Sequence, residues 1–224
     1  RSIRSIEGPI LIIDKVKSPM YNELVKIKLD NNEEKLGQVI ECSSDYAVVE
    51  IFGSNIGLGK ENIGVEFTAD TFKVRVGDDM IGRVFNGEGK PIDNNIPIIG
   101  NETLDINGLA INPASRDMPN DFIETGISAI DGLNTLVRGQ KLPIFSASGL
   151  PHNEITAQII RQANVLGKEG DFLIVFAGIG ITYDSYLYFI KEFSNTGSMD
   201  RLISFINLAS DPSIERIITP RLAL

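Results

Sequence analysis

From residue 141 onward, short apolar runs alternate with amphipathic ones, and this restricts the possible folds more than any other feature of the chain. Leu142–Pro143–Ile144–Phe145 is the first run and predicts a strand. Glu154 to Leu166 follows, with Ile155, Ile159, Ala163 and Leu166 spaced for one face of a helix. Phe172 to Phe176 is continuously apolar, as expected of a strand covered on both faces. Tyr183 to Phe193 has helical spacing, with aromatics at 183, 186, 189 and 193 that suit a core better than a ligand stack. Leu202 to Leu208 predicts another buried strand. Such alternation belongs to a parallel α/β sheet.

The first seventy residues have a different period. Val25, Ile27 and Leu29 alternate with Lys26 and Lys28, the pattern of a strand with one wet face. Ile10 to Ile13, Leu36 to Ile40, Ala47 to Phe52 and Val65 to Thr68 extend the series, with turn residues such as Asp30–Asn31–Asn32 between them. Short strands at this spacing predict a small closed β-barrel over residues 1–72, with Cys42 a packed or half-buried strand thiol. Residues 73–125 have little regular pattern, and Pro97, Pro113 and Pro119 punctuate them. Apart from a strand at Met80 to Phe85 and a turn at Asn86–Gly87–Glu88–Gly89, this segment is expected to wrap the surface. A short helix opens at Thr125–Gly126–Ile127–Ser128, with Thr125 as its cap. Residues 73–224 then form the second domain, an incomplete P-loop-type α/β unit.

The loop between the first predicted strand and helix of that domain is Ser146–Ala147–Ser148–Gly149–Leu150–Pro151–His152–Asn153. Strand, small-residue loop and helix is the layout that holds phosphate in P-loop proteins. That motif needs glycine amides to curl around phosphate, a lysine for the β- and γ-phosphates, and a hydroxyl for magnesium. Here Ser146 stands at the first glycine, and Pro151 has no N–H to donate. His152 replaces the lysine and Asn153 the hydroxyl residue. His152 is expected to be solvated or to cap the helix, Asn153 to be its N-cap, and Glu154 to suit the helix dipole. A helix N-terminus still attracts anions, so weak nucleotide binding at Ser146–Asn153 is left open.

A net charge of −9 and a pI near 4.7 argue against a general nucleic-acid binder. One cysteine excludes an internal disulfide, and one histidine, His152, argues against a His-based metal or triad site. No apolar run approaches the ~18 residues of a membrane span, and no hydrophobic signal segment follows Arg1–Ser2–Ile3–Arg4. The expected location is cytoplasmic.

Several blocks carry a specific resemblance. They are Gly82–Arg83–Val84–Phe85–Asn86–Gly87 with Gly89–Lys90–Pro91–Ile92–Asp93, then Thr125–Gly126–Ile127–Ser128–Ala129–Ile130–Asp131–Gly132, and Arg138–Gly139–Gln140–Lys141. Ser148–Gly149–Leu150–Pro151–His152–Asn153–Glu154 and Glu215–Arg216–Ile217–Ile218–Thr219–Pro220–Arg221 are the most distinctive. Together they resemble the B subunit of vacuolar-type and archaeal-type rotary proton-translocating ATPases, over essentially the whole chain. The resemblance implies a hexameric ring in which this subunit alternates with a catalytic A subunit. Peripheral-stalk and rotor subunits are its further partners, and the membrane is met only indirectly, on the cytosolic face of vacuolar or endomembranes. It implies no required cofactor, and at most weak ATP or ADP binding at a subunit interface.

In the family's catalytic subunits, a Gly-Glu-Arg element carries the glutamate that polarises the attacking water. The matching stretch here is Ala177–Gly178–Ile179–Gly180–Ile181–Thr182, with Ile181 at the glutamate position. An alkyl group neither accepts a proton nor orients water. Loss of both lysine and glutamate argues against hydrolysis at this loop, so no catalytic residue and no metal ligand is assigned. Asp211, Glu215, Arg216 and Arg221 are candidates for a subunit interface, the alternative for Asp211 to Arg216 being a solvated loop with local ion pairs. Relatives run past Leu224, so the chain is expected to be an N-terminal fragment whose interface arginine lies further on. The rival functions are a catalytically active ring ATPase or ATP synthase subunit, and a hexameric nucleic-acid translocase.

Overall fold

The computed structural model describes residues 2–31, 33–53, 57–60, 63–108, 112–115, 118, 120–165 and 172–224. Pro119 and Leu166 lie outside the described residues. The first unit is a six-stranded antiparallel sheet built from β1 (Ser2–Glu7), β2 (Ile10–Asp14), β3 (Leu24–Leu29), β4 (Glu34–Cys42), β5 (Tyr46–Ile51) and β6 (Ile63–Phe67). Its order is β1-β2-β5-β4-β3-β6. Alternation works as the sequence predicts: Val25, Ile27 and Leu29 of β3 are buried while Lys26 and Lys28 are exposed. The sheet curls so that Ile3 and Ile6 of β1 and Ile63 and Val65 of β6 pack on one shared core with Leu11, Ile13, Val39 and Val49.

Two features produce the curl. Bulges interrupt β1 between Ile3 and Ser5 and β4 between Val39 and Glu41, and bulges bend a strand. Gly37 also lets β4 approach closely, since a Cβ there would sit 2.6 Å from Val49 Cγ1. The barrel-like unit departs from the expected full closure. Among the described residues no ladder joins β1 to β6, although Lys60 Nζ donates to the Arg4 carbonyl at 2.7 Å. Cys42, at the end of β4, is exposed rather than packed.

Residues 73–125 correct the surface-wrapping expectation. Strands β7 (Lys73–Val76) and β9 (Glu102–Asp105) pair antiparallel, and β8 (Val84–Asn86) joins the parallel sheet. The predicted strand at Met80 to Phe85 is thus shorter and shifted, because Asp78–Met80 is a 3-10 turn. Phe72, Met80, Phe85 and Ile106 are buried with Phe52, Phe205, Ile214, Ile218 and Leu222 in a core that joins the two units. Strands β10 (Phe122–Glu124), β11 (Leu136–Val137) and β12 (Asn164–Val165) make a small antiparallel sheet beside helix α1 (Ser128–Leu133). Thr125 does not cap α1, whose N-cap is Ile127. Asp131 instead accepts hydrogen bonds from Thr125 N, Thr125 Oγ1 and Gly126 N, which draws the helix back onto the chain that enters it.

The second unit is built on a parallel sheet of order β13-β14-β8, with β13 at Ile174–Ile181 and β14 at Leu202–Leu208. Helices α2 (His152–Gln162), α3 (Tyr183–Asn195) and α4 (Ser213–Ala223) accompany it. Phe189 and Phe193 of α3 pack against Phe176 of β13 with centroids 4.7 and 5.2 Å apart, as a core reading requires, while Tyr183 stays exposed. Three expectations are corrected. Leu142 to Phe145 forms no strand; Phe145 is 91% exposed, since no strand of the described sheet stands beside it. Helix α2 ends at Gln162 because Asn164 and Val165 pair with β10, and its buried residues are Ala157 and Ile160 rather than Ile155 and Ile159. Strand β13 is not covered on both faces, since Leu173, Val175 and Ile179 are exposed near its outer edge.

Candidate functional site

In a parallel α/β sheet, ligands meet the protein outside the carboxyl ends of the strands. Here that edge brings together the start of α2, the end of β13, the start of α3 and the connection from β14 to α4. Asn153 Nδ2 donates to Ser185 Oγ at 3.4 Å, so the N-terminal turns of α2 and α3 are neighbours. Thr182 caps α3 by accepting from Ser185 N at 3.3 Å.

The degenerate loop closes on itself instead of opening into a cradle. Ser146, Ala147, Ser148, Gly149, Leu150, Pro151 and His152 are all exposed. Leu150 N donates to the Ala147 carbonyl at 3.3 Å. Pro151 has φ −78° and ψ 53°, an inverse γ-turn, and the His152 amide donates back to the Leu150 carbonyl at 2.8 Å. That carbonyl also lies 2.9 Å from His152 Nδ1, which donates to it in the protonated-Nδ1 tautomer. The imidazole that stands for the lysine is therefore folded onto its own turn. The N-cap of α2 is Pro151, which corrects the assignment of Asn153: Asn153 lies inside the first turn and reaches sideways to α3.

At the end of β13, Gly180 and Ile181 are held by the connection that follows β14. Gly180 N donates to Asn207 Oδ1 at 3.2 Å, and Ala209 N donates to the Ile181 carbonyl at 2.8 Å. Gly180 has φ +64°, and a Cβ there would stand 3.4 Å from Arg216 Nε. The Arg216 guanidinium donates to Asn207 Oδ1 at 3.4 Å and to the Ala209 carbonyl at 3.3 Å. Asn207 is fully buried, and sequence reasoning gave it no role at the site. The signal was a carboxamide at the end of an apolar run; its Oδ1 accepts from Gly180 N and Arg216 Nε, while its buried Nδ2 has no partner among the described residues.

The four candidate interface residues do not converge. Asp211 Oδ2 accepts from Leu208 N at 2.6 Å, and Arg216 faces the same end of β14. Arg221 lies further along α4 and donates to Asn107 Oδ1 at 2.7 Å, an acceptor shared with Asn22 of the barrel unit. Glu215 is 5% exposed and turned toward Gly87; burial first, and then the charges of Glu88 and Asp211, push its carboxyl up to about 7. The alternative of a solvated loop is corrected for Ser213 to Arg216, which form the first turn of α4.

This edge offers helix N-termini and backbone amides, with His152 at the position of the P-loop lysine and Ile181 at the end of β13. Among the described residues, no group of three His, Cys, Asp or Glu side chains could hold a metal ion, and no helix is long and apolar enough to cross a membrane. Comparison with protein families gives two matches. Residues 3–69 match the ATP synthase alpha/beta family, beta-barrel domain. Residues 126–224 match the ATP synthase alpha/beta family, nucleotide-binding domain.

Proposed function

We propose that this chain, which belongs to the ATP synthase alpha/beta family, is the non-catalytic, structural and regulatory subunit of a vacuolar-type or archaeal-type rotary proton pump. Family membership implies a place in an oligomeric ring ATPase. The non-catalytic role is supported by one observation above all. The His152 amide donates to the Leu150 carbonyl, and its Nδ1 lies 2.9 Å from the same oxygen, at the place where a working loop offers its N–H groups and lysine to phosphate. Ile181 removes the water-polarising carboxylate as well. Each lost element of a phosphoryl-transfer site costs about 4 kcal/mol of transition-state stabilisation, roughly three orders of magnitude in rate.

Its partners in this reading are catalytic subunits that alternate with it around the ring, then stalk and rotor subunits, on the cytosolic face of an endomembrane. The barrel-like unit holds neighbours together, and the α/β unit follows their nucleotide state. The test is an ATPase assay of the purified protein alone, paired with native mass measurement after mixing with a catalytic subunit. We expect no magnesium-dependent turnover alone and a mixed ring on mixing. Turnover by the protein alone that His152→Ala abolishes would overturn the reading in favour of a catalytic subunit.

A further inference from the structure

We infer that the contact between α4 and the turn after β8 is a pH-operated latch, closed while Glu215 holds its proton and released when it loses it. The geometry begins with Gly87. A Cβ there would meet Glu215 Cβ at 2.8 Å, Glu215 Oε2 at 2.9 Å and Thr219 Oγ1 at 3.0 Å, so the turn backbone lies directly on the carboxyl group. Among the described residues, no donor bonds that carboxyl. Thr219 Oγ1, the nearest hydroxyl, donates to the Glu215 backbone carbonyl instead.

Glu215 is 5% exposed, and in so enclosed a place the ionised carboxylate is costlier than the neutral acid. The charges around it reinforce this. Glu88 faces it from the turn, and Asp211 faces it from the connection that enters α4. Lys90 is the opposing cation, and it is already paired with Glu88. On the barrel side, the Glu50 carboxylate accepts from Ser213 Oγ at 2.5 Å, two residues before Glu215. Ionising Glu215 therefore places a third negative charge beside those of Glu88 and Asp211, with Lys90 as the opposing cation. The turn can relieve this by lifting, which opens Glu215 to water.

Opening matters beyond the turn because the first turn of α4 is shared. Ser213 ties it to the barrel unit, and Arg216 ties it to Asn207 and thus to Gly180. The turn itself is closed by Gly89 N donating to the Asn86 carbonyl, with Glu88 N and Lys90 N donating to Asn86 Oδ1. Those three amides report its state.

The test is amide hydrogen exchange at Glu88, Gly89 and Lys90 between pH 6 and pH 8, corrected for the intrinsic chemical rate, in the wild-type chain and in Glu215→Gln. A carboxyl 13C titration of Glu215 in the wild type accompanies it and requires no variant. Protection should fall about tenfold across this range in the wild type, the change in protonated population of a group titrating near 7, and stay level in Glu215→Gln. Equal protection at both pH values, an equal loss in the variant, or a Glu215 carboxyl that titrates below pH 5 would overturn the latch.

Discussion

The Arg83–Asp93 pair brackets β8 and permits a stability prediction worked from its geometry. Arg83 Nε donates to Asp93 Oδ2 at 2.5 Å and its NH2 to Oδ1 at 3.0 Å, a fork-on-fork arrangement. The same guanidinium donates to the Ile96 carbonyl at 2.9 Å, while Asp93 accepts from Val84 N and Asn95 N. The side chains are only 13% and 16% exposed, so solvent screens the pair weakly. The Arg83 hydrogen bond, aided by the two amides and opposed by burial, holds the Asp93 carboxyl down at about 2. Relative to an ordinary aspartate this is worth about 2.5 kcal/mol of folding stability. Because the folded value is depressed, that stability is fully present above about pH 4 and is lost as pH falls through about 2. Asp93→Ala also strands a mostly buried guanidinium, which raises the expected loss to about 3–5 kcal/mol at pH 7. Asp93→Asn, which keeps the shape, should lose about 2 kcal/mol. Urea denaturation of wild type, both variants and the Arg83→Ala/Asp93→Ala double mutant, at pH 7 and pH 2, measures these differences. If Asp93→Asn is neutral at pH 7, or the gap between wild type and variant is unchanged at pH 2, the clamp does not hold β8 as argued.

Global stability should also respond to Glu215, with the opposite sign. Its folded pKa is raised, so the contribution is complete below about pH 4.5 and fades as pH rises through about 7, by up to about 3 kcal/mol; denaturation midpoints of Glu215→Gln should lack this decline. Phe85 is fully buried and stacks on Phe205 with centroids 5.3 Å apart, so Phe85→Ala should cost about 3–5 kcal/mol in the same assay. Pro151→Gly with His152→Lys should free the loop's amides and supply a cation, tightening binding of a fluorescent ATP analogue by about tenfold or more. Turnover should remain absent because Ile181 is unchanged, and hydrolysis by that double variant would refute the role given to position 181.

The period of the sequence located the barrel-like sheet and the centre of the parallel sheet, but neither of the two small antiparallel sheets. Strands β2 to β6 and β14 stand where alternation or a continuous apolar run placed them, because each packs its apolar residues against a core, those of β6 only partly buried. Strand β1 was hidden by its bulge: Ile3 and Ile6 are three apart, which is no strand period until the extra residue at Arg4 is counted. Strand β8 was misplaced for another reason. Three residues carry too little pattern, and Phe85 earns its burial from Phe205 on β14, more than a hundred residues later. Leu142 to Phe145 shows the reverse error. Its composition suits a strand, but a strand exists only where a neighbour takes its hydrogen bonds.

The candidate site divides in the same way, and the division has a physical cause. What the loop lacks was legible, because a proline without an N–H or an isoleucine without a carboxylate is a property of one residue. What the loop does instead was not legible. The return of the His152 amide to Leu150 depends on the backbone angles of Pro151, and proline fixes only φ. The grip of Asn207 and Arg216 on Gly180 depends on the register between β13 and β14, which brings positions 180 and 207 together. That grip carries a consequence for function. A carboxylate installed at 181 would enter a turn already fixed through Gly180 and Ala209, so replacing one side chain does not restore the site. The loop would have to open and the turn would have to move as well before phosphate and an attacking water could be held together there.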